Sequence, residues 1–274
     1  GTLGDRYIRK IEVEQWQKIM VKVNYIGHAS FSFESASGTL IYYDPWLDES
    51  PVSTIKCSDV ERADIVISTH GHNDHVQDAF ALCQQTGARF VGNYEMTLVA
   101  AAHGLDQDLI FPMNPGGSVQ IDDVRITLVQ AFHNSGSLSP NLALGAPPDG
   151  HYFRPDGGST GVVLTFDNGV TIYNTSDTNV FSDMQLISQM YGPQIAILPI
   201  GGKYTMGIRE GARAASLIRP DVVIPCHYGE AVGQPVDLDA FISGVNFLSP
   251  NTSVVVLEPG QTLQYVPAQH QISG

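Results

Sequence analysis

Cysteine is scarce in this sequence. Only Cys57, Cys83 and Cys226 occur among its 274 residues, far apart and with no CxxC pair. An odd number of scattered cysteines argues against the disulfide framework of a small secreted protein. We therefore expect a reducing environment and predict a cytoplasmic protein.

Basic residues are also few, with 14 Lys and Arg against 28 Asp and Glu, for a formal net charge of −14. A field of that sign repels a phosphate backbone, so nucleic acid is a poor candidate partner. A small-molecule substrate is the better expectation. A small anion is not excluded, because bound metal ions would create a local positive site.

Long apolar runs are missing as well. No run reaches the roughly 18 residues that suggest a membrane-spanning helix, so we predict no membrane span. The first 20 residues mix acidic and basic side chains, unlike a secretory signal. We expect an N-terminal extension at residues 1–20 with a short helix, one domain at residues 21–266 and a tail at residues 267–274. Association into a homo-oligomer stays open.

The sequence does contain one dense group of metal-binding side chains. Within six positions it places His70, His72, Asp74 and His75. They follow a short β-branched run at 65–67, which predicts a buried strand. Residues two apart share a face of extended backbone but not of a helix, so His70, His72 and Asp74 can point the same way at the end of that strand. Imidazoles and a carboxylate suit a divalent metal such as zinc.

Polar side chains recur where predicted apolar strands end. They are Asp44, His70, His133, Asp177 and His227. Open α/β sheets place ligand sites beyond the carboxyl ends of their strands, so we expect these five segments to meet at one edge. Strands precede helices in both halves of the chain, which predicts two related sheet-and-helix units packed face to face.

A long segment at residues 134–158 is rich in Gly, Pro, Ser and Asn and has little periodicity. Loops of this length in a compact domain are usually functional or disordered. We interpret the segment as an insertion that could act as a lid. His151 lies within it and is a candidate substrate contact.

The candidate ligands divide into two sets with a residue between them. His70, His72 and His133 could form one site, Asp74, His75 and His227 a second, and Asp177 could bridge the two. In this order the residues resemble the metallo-β-lactamase superfamily. Further motifs resemble the branch of metal-dependent hydrolases that includes L-ascorbate 6-phosphate lactonase: Gly27-His28-Ala29-Ser30-Phe31, Asp44-Pro45, Phe132-His133, Leu198-Pro199-Ile200-Gly201-Gly202, Tyr204-Thr205-Met206-Gly207, Ile224-Pro225-Cys226-His227-Tyr228 and Glu258-Pro259-Gly260.

The resemblance implies an αββα sandwich, with two mixed sheets flanked by helices, over residues 21–266. It also implies a centre with two divalent metal ions, Zn or Mn, in which a metal-bound hydroxide opens a lactone or other ester. Asp74 would then be both ligand and catalytic residue. His28 and Asp44 are expected to orient the ligands rather than bind metal. Ser176 departs from the usual pattern of the branch, which has glycine there.

Position suggests that Lys203, Tyr204 and Tyr228 contact the substrate. A phosphodiesterase of the same fold is the second reading of the function. A mononuclear iron persulfide dioxygenase and a non-catalytic metal-stabilised binding protein are further alternatives. Structural zinc sites close their coordination with four protein ligands, so a set that leaves room for water favours an enzyme.

Overall fold

Two seven-stranded sheets form the middle of the protein in a computed structural model, which describes residues 19–138, 153–154 and 157–266. The first sheet contains β1 (Val21–Gly27), β2 (Ser30–Glu34), β3 (Leu40–Tyr43), β4 (Ile65–Ile67), β5 (Arg89–Asn93), β6 (Ile110–Met113) and β16 (Thr262–Tyr265). The second contains β7 (Ser118–Ile121), β8 (Val124–Gln130), β11 (Thr160–Phe166), β12 (Thr171–Asn174), β13 (Ile195–Pro199), β14 (Val222–Cys226) and β15 (Ser253–Val254). Strands β9 (Ser137–Leu138) and β10 (Phe153–Arg154) pair as a separate short ribbon.

The two sheets share one design. In the order β16-β1-β2-β3-β4-β5-β6, the first four strands are antiparallel neighbours and the strands from β3 onward are parallel. In the order β7-β8-β11-β12-β13-β14-β15, the second sheet repeats that change at β12. Both sheets are therefore mixed, as predicted, and the two halves of the chain have matching topologies.

Six α-helices cover the outer faces of the sheets in the described part of the chain. They are α1 (Asn73–Val76), α2 (Ala79–Thr86), α3 (Tyr94–Ala102), α4 (Met184–Tyr191), α5 (Ile208–Ile218) and α6 (Leu238–Leu248). The first three pack in one hydrophobic cluster with the first sheet, and the last three in another with the second sheet. The layers thus run helix, sheet, sheet, helix, which confirms the predicted αββα fold.

The sequence pattern predicts a single helix from Val76 to Thr86, and this prediction is wrong in one respect. The helix is interrupted before Ala79. There the Asp78 N–H donates to the carbonyl of Pro45, and the Asp78 carboxylate accepts from the N–H of Leu47 at 2.6 Å. These bonds hold the loop after β3 against the residues between the two helices α1 and α2. Gly87, with φ +74°, ends α2 where expected.

Alternation of faces along each strand builds the core. In β4, Ile65 and Ile67 point into the cluster between the two sheets, whereas Val66 packs towards the helices of the first sheet. In β13, Ile197 lies between the sheets and Leu198 packs towards the helices of the second sheet. Such strands are buried on both faces, which explains their continuous apolar sequence.

The cysteines lie in this interior: Cys57, Cys83 and Cys226 are buried free thiols. None of the described helices has the length and apolar character needed to cross a membrane. The interior positions the site, because strands β3, β4, β12 and β14 end at one edge. There the backbone N–H of His227 donates to the backbone carbonyl of His28 at 2.8 Å, which ties the second sheet to the first.

Candidate metal centre

The predicted ligands meet at that edge of the two sheets. The loop after β4 supplies His70, His72 and the first residues of α1, so the extended backbone at His72 (φ −68°, ψ 144°) ends where the helix begins. His133 follows β8, Asp177 follows β12 and His227 follows β14. The remaining ring, that of His28, comes from the turn between β1 and β2.

One group of ligand atoms, the first cluster, consists of His70, His72, His133 and Asp177. The His72 Nδ1 lies 3.1 Å from the His70 Nε2 and 3.3 Å from the His133 Nε2. Asp177 Oδ2 lies 3.5 Å from the His133 Nε2 and 3.9 Å from the His70 Nε2. Ligand atoms about 2.0–2.1 Å from a tetrahedral zinc ion are separated by roughly 3.4 Å, so the spacing fits a metal ion.

A second group, the second cluster, consists of His28, Asp74, His75 and His227. Asp74 Oδ2 is its centre, at 3.0 Å from the His28 Nε2, 3.6 Å from the His75 Nε2 and 3.5 Å from the His227 Nε2. His28 was expected to orient ligands. It does contact the ligand Asp74, and its ring also lies close enough to act as a fourth ligand.

Asp177 joins the two clusters. Its Oδ2 lies 3.1 Å from the His227 Nε2 and 3.3 Å from the His75 Nε2, besides its contacts in the first cluster. A single carboxylate oxygen therefore faces imidazole nitrogens of both groups. This is the position predicted for a residue that bridges two ions.

Unsatisfied ring nitrogens show that a metal fits. The Nε2 atoms of His75 and His227 are buried and have no aligned hydrogen-bond partner. The His75 Nδ1 lies 2.8 Å from the carboxylate of Asp44 and carries a proton, so in the neutral ring the Nε2 presents a lone pair. A lone pair and a carboxylate oxygen 3.3 Å apart repel unless a proton or a metal ion lies between them.

Asp44, Thr69 and Ser176 form a hydrogen-bonded chain behind the ligands. The Thr69 hydroxyl donates to Asp44 Oδ2 at 2.7 Å, and the Ser176 hydroxyl donates to the Thr69 oxygen at 2.7 Å. The His70 Nδ1 lies 3.0 Å from the same oxygen. Since the Thr69 hydroxyl has one proton and gives it to Asp44, we assign the proton of His70 to Nδ1, which leaves Nε2 free to bind metal.

Several residues of the site have left-handed backbone. His28, Asp44, Ser176 and His227 have φ values of 57°, 44°, 56° and 58°. Such values are uncommon for residues other than glycine, although Asp and His adopt them more readily than most. The left-handed turns at these four residues place their side chains at the same edge of the two sheets.

The histidine rings of the centre fall into two groups according to the direction in which their pKa values are shifted. Burial lowers the pKa of His70 and His133, and lowers that of His28 to about 4, so these rings are neutral. Burial acts in the same direction on His75 and His227, but the neighbouring carboxylates outweigh it. Asp177, Asp74 and Asp44 raise the pKa of His75 well above its usual range. Asp177 and Asp74 raise the pKa of His227 to about 9.

The carboxylates show the reverse effect. Burial favours the protonated acid, yet His75 and His227 hold the pKa values of Asp177 and Asp74 below the usual range. Asp44 differs because burial dominates and raises its pKa, although it accepts from His75 and Thr69. The carboxylates therefore concentrate negative charge at the centre. This charge attracts protons, and it also attracts divalent cations, which displace the protons when they bind.

A cavity of about 240 Å³, here called the centre cavity, opens onto the clusters. His72, Asp74, His133, Asp177, Tyr204 and His227 line it. Tyr204 is the one predicted substrate contact that lines it among the described residues, and 57% of its surface is exposed. Lys203 lies against Tyr204, with its Nζ 4.9 Å from the ring centroid. Tyr228 packs with the outer cluster of the second sheet, and His151 lies outside the described residues.

The sequence did not single out Thr69 or Trp46. Thr69 is one position before the histidines, and a hydroxyl next to a ligand is a weak signal by itself. Trp46 follows the Asp44-Pro45 pair, and its ring meets His28 edge to face at 5.3 Å between centroids. Ser176 was noted only as a departure from glycine, whereas its hydroxyl takes part in the hydrogen-bonded chain.

Comparison with known proteins agrees with this geometry. The family model described as "Beta-lactamase superfamily domain" matches residues 22–227. A UPF0173 metal-dependent hydrolase of Staphylothermus marinus is 37% identical over 253 residues, which cover 90% of this chain and all (100%) of the relative. One of Methanopyrus kandleri is 35% identical over 245 residues, covering 89% of this chain and 100% of the relative.

Solved structures give the same result. Igni18, described as a novel metallo hydrolase from Ignicoccus hospitalis, has a TM-score of 0.75 and 32% identity, covering 90% of this chain and 98% of that one. YhfI of Bacillus subtilis, a metallo-beta-lactamase fold protein, has a TM-score of 0.63 at 14% identity, over 90% of this chain and 100% of that one, and shares the fold. The finer resemblance to L-ascorbate 6-phosphate lactonase stays a prediction, because none of these four relatives carries that name. With matches that span most of its length, the chain belongs to the β-lactamase superfamily and, within it, to the UPF0173 metal-dependent hydrolase family.

Proposed function

We propose that this protein is a metal-dependent hydrolase that uses two divalent metal ions, Zn or Mn, to open a lactone or other ester. The observation that carries the proposal is the position of Asp177 Oδ2, within 3.1–3.9 Å of imidazole nitrogens from both clusters. The printed names of the relatives, metal-dependent hydrolase and metallo hydrolase, support the reaction class.

We assign a role to each group of residues from its position. The first cluster would hold one ion through His70, His72 and His133, and the second would hold another through Asp74, His75 and His227. The Asp177 carboxylate lies beside both sets of ligands. When bound, divalent ions lower the pKa of water towards neutrality and polarise the carbonyl of a substrate. Ions bound at both clusters would replace the Nε2 protons of His75 and His227 and would compensate the negative charge of the carboxylates.

Asp74 has a second role in the proposal. Its side chain is 32% exposed and lines the centre cavity, whereas Asp177 is almost fully buried. A carboxylate at the cavity wall can accept a hydrogen bond from the attacking water and take its proton. The His28 Nε2, 3.0 Å from Asp74 Oδ2, keeps that carboxylate oriented.

Tyr204 is the candidate for stabilising the developing charge on the substrate oxygen. Tyr204 lines the centre cavity together with the candidate ligands, and its hydroxyl is a hydrogen-bond donor. The neighbouring Lys203 ammonium approaches the same ring and adds positive charge at the rim. We therefore assign Lys203 an indirect contribution and Tyr204 the direct contact.

Elemental analysis of purified protein, followed by assays of the metal-loaded form on lactones, linear esters and phosphodiesters, tests the proposal. We expect two zinc or manganese ions per chain and ester hydrolysis that chelation abolishes and the same metal restores. One iron per chain with persulfide oxidation would indicate the dioxygenase. Preferential phosphodiester cleavage would indicate the phosphodiesterase, and bound metal with no turnover of any substrate would indicate a binding protein.

A further inference from the structure

A second cavity, of about 440 Å³ and here called the side pocket, adjoins the centre cavity. Asp74 and Tyr204 line both cavities, so the two spaces are neighbours that these side chains separate. Under the proposed function, on which this inference rests, the bond to be broken must lie against the ligand clusters. The rest of a substrate too large for the centre cavity must then extend into the side pocket.

One wall of the side pocket is apolar and aromatic. Trp46 is half-buried, and its indole is fixed edge to face against His28. Pro51, Val232 and Tyr204 also line the pocket, and Tyr204 is shared with the centre cavity. Flat aromatic groups and aliphatic carbons suit the flexible, mostly apolar part of a small ligand.

Side-chain amides form the other wall. Asn73, Gln77 and Gln234 line the pocket. Gln234 is only 4% exposed, and its Oε1 has no hydrogen-bond partner among the described residues. Gly201 makes room for it, because a Cβ at Gly201 would lie 2.1 Å from that oxygen. This oxygen is fully buried against Gly201 and closed to a ligand, so the Nε2 of the same amide, a donor, is the atom that can form a hydrogen bond in the pocket.

The charges of the lining exclude one kind of ligand. Glu49 and Asp74 line the side pocket, and no Lys or Arg does so within the described ranges. Asp74 is committed to the second cluster, which leaves Glu49 as the charge that a ligand meets. Lys203 contacts Tyr204 without lining the pocket. A phosphate or carboxylate placed here would face a like charge with no lining cation.

We propose that the side pocket binds the non-reacting part of the substrate, as an uncharged group whose apolar part packs against Trp46 and whose polar part hydrogen-bonds to the side-chain amides. An amide or hydroxyl that bonds to Gln234, on a carbon chain packed against Trp46, has this chemistry. The substrate class is then an uncharged lactone or ester with polar substituents, not a phosphorylated one.

A matched pair of 4-nitrophenyl esters tests the proposal on the metal-loaded enzyme. Both have a six-carbon acyl chain, which ends in a carboxamide in one ester and in a sulfonate in the other. We expect kcat/KM for the carboxamide ester to exceed that for the sulfonate ester by about tenfold or more. Equal values, or a preference for the sulfonate, would overturn the proposal while leaving the hydrolase function intact.

Two variants connect the preference to the pocket. Glu49→Gln removes the like charge, so the ratio of the two kcat/KM values should fall several-fold. Gln234→Met keeps the side-chain length but not the amide, so it should lower the ratio by raising KM for the carboxamide ester. The backbone bonds between Gln234 and Gly229 do not depend on the side chain and hold the loop in place. Glu61→Gln, which removes an exposed charge elsewhere, is the matched control and should keep the wild-type ratio.

A binding measurement separates failure of the pocket from failure of the reaction. The chain has two tryptophans, so in a Trp16→Phe background the fluorescence reports Trp46 alone. Titration with 4-nitrobenzamide, an uncharged quencher that is not an ester, should give saturable quenching that Gln234→Met weakens several-fold. Such quenching in a protein that hydrolyses no ester would refute the proposed function and support the pocket. Quenching that does not saturate would refute the pocket, whatever the enzyme hydrolyses.

Discussion

The first and second clusters are built from the same residue types in different surroundings. His72 and His133 of the first cluster are partly exposed at the centre cavity, whereas His75 and His227 of the second are buried. In the first cluster burial lowers the pKa values of His70 and His133, and in the second the carboxylates raise those of His75 and His227. The first cluster is thus distinguished by the neutral rings of His70 and His133. In the second, the rings of His75 and His227 form ion pairs with carboxylates and stay charged without metal.

Replacement of Asp177 should have the largest effect, because its carboxylate contacts both clusters. We expect Asp177→Asn to lose metal from both and to reduce ester hydrolysis by roughly a thousandfold, about 4 kcal/mol in the activation free energy. Metal content per chain and kcat/KM measure the two effects. Asp183→Asn, an exposed carboxylate six positions later, is the control. Retention of two ions per chain by Asp177→Asn would show that Asp177 does not bridge.

Loss of one histidine from each cluster sharpens the comparison. His72→Ala should lose the ion of the first cluster and most activity, with the melting temperature of the metal-free protein almost unchanged. His227→Ala should lose the ion of the second cluster and also destabilise the metal-free protein, since Asp177 and Asp74 lose a charged partner. Metal stoichiometry and calorimetry give both values. Equal melting temperatures for the two metal-free variants would refute the distinction between the clusters.

The stability of the metal-free protein should depend on pH in opposite ways for the two clusters. His227 has its pKa raised from 6.5 to about 9, so its stabilising charge is fully present below pH 6.5 and lost as the pH rises through 9. The shift corresponds to about 3 kcal/mol at most. His70 and His133 have lowered pKa values, so their neutral rings cost stability as the pH falls below 6.5.

Urea unfolding of the metal-free protein between pH 5 and 10 measures this dependence. We expect the free energy of unfolding to be highest between the acid loss and the alkaline loss. His227→Gln should reduce the alkaline loss more than the acid loss. An alkaline side that is unaffected by His227→Gln would assign the loss to other groups.

The smallest effect is expected from Ser176, which supports the first cluster through Thr69. Ser176→Gly removes the hydroxyl but suits the left-handed backbone at φ 56°. We expect unchanged or slightly higher stability, by up to about 1 kcal/mol, together with a few-fold loss of metal affinity at the first cluster. Competition with a chromophoric chelator measures the affinity. Ser176→Ala, which also lacks the hydroxyl but keeps the strain, should lose affinity without gaining stability.

The candidate ligands next to one another in the chain could be recognised because their signal is local. His70, His72, Asp74 and His75 are adjacent in the chain, and the short apolar run before them identifies a strand. The αββα architecture followed from the order of the strands and the resemblance of the motifs. Strand β4 and the end of α2 at Gly87 lie where the pattern placed them, because burial on both faces and a glycine C-cap are visible in the sequence.

The rest depends on contacts between distant segments. The hydrogen bond between Ser176 and Thr69 spans 107 positions, and the closeness of His28 to Asp74 spans 46. No periodicity encodes such contacts. The break before Ala79 was missed for the same reason, since it depends on Asp78 bonding to the loop after β3. The side pocket likewise combines residues from five separate segments of the chain, and chain order does not show that they share a space.

The left-handed residues at the centre have a consequence for local opening. His28, Asp44, Ser176 and His227 together hold roughly 4 kcal/mol of unfavourable backbone conformation, at about 1 kcal/mol each. The buried strands behind them have no such cost, so the edge that carries the ligands is the part of the fold that gains most by fraying. A metal ion bound by candidate ligands from separate strands would oppose that fraying. Amide hydrogens of the surrounding turns should therefore exchange with solvent much sooner in the metal-free protein than in the loaded one, while exchange in the sheets changes little.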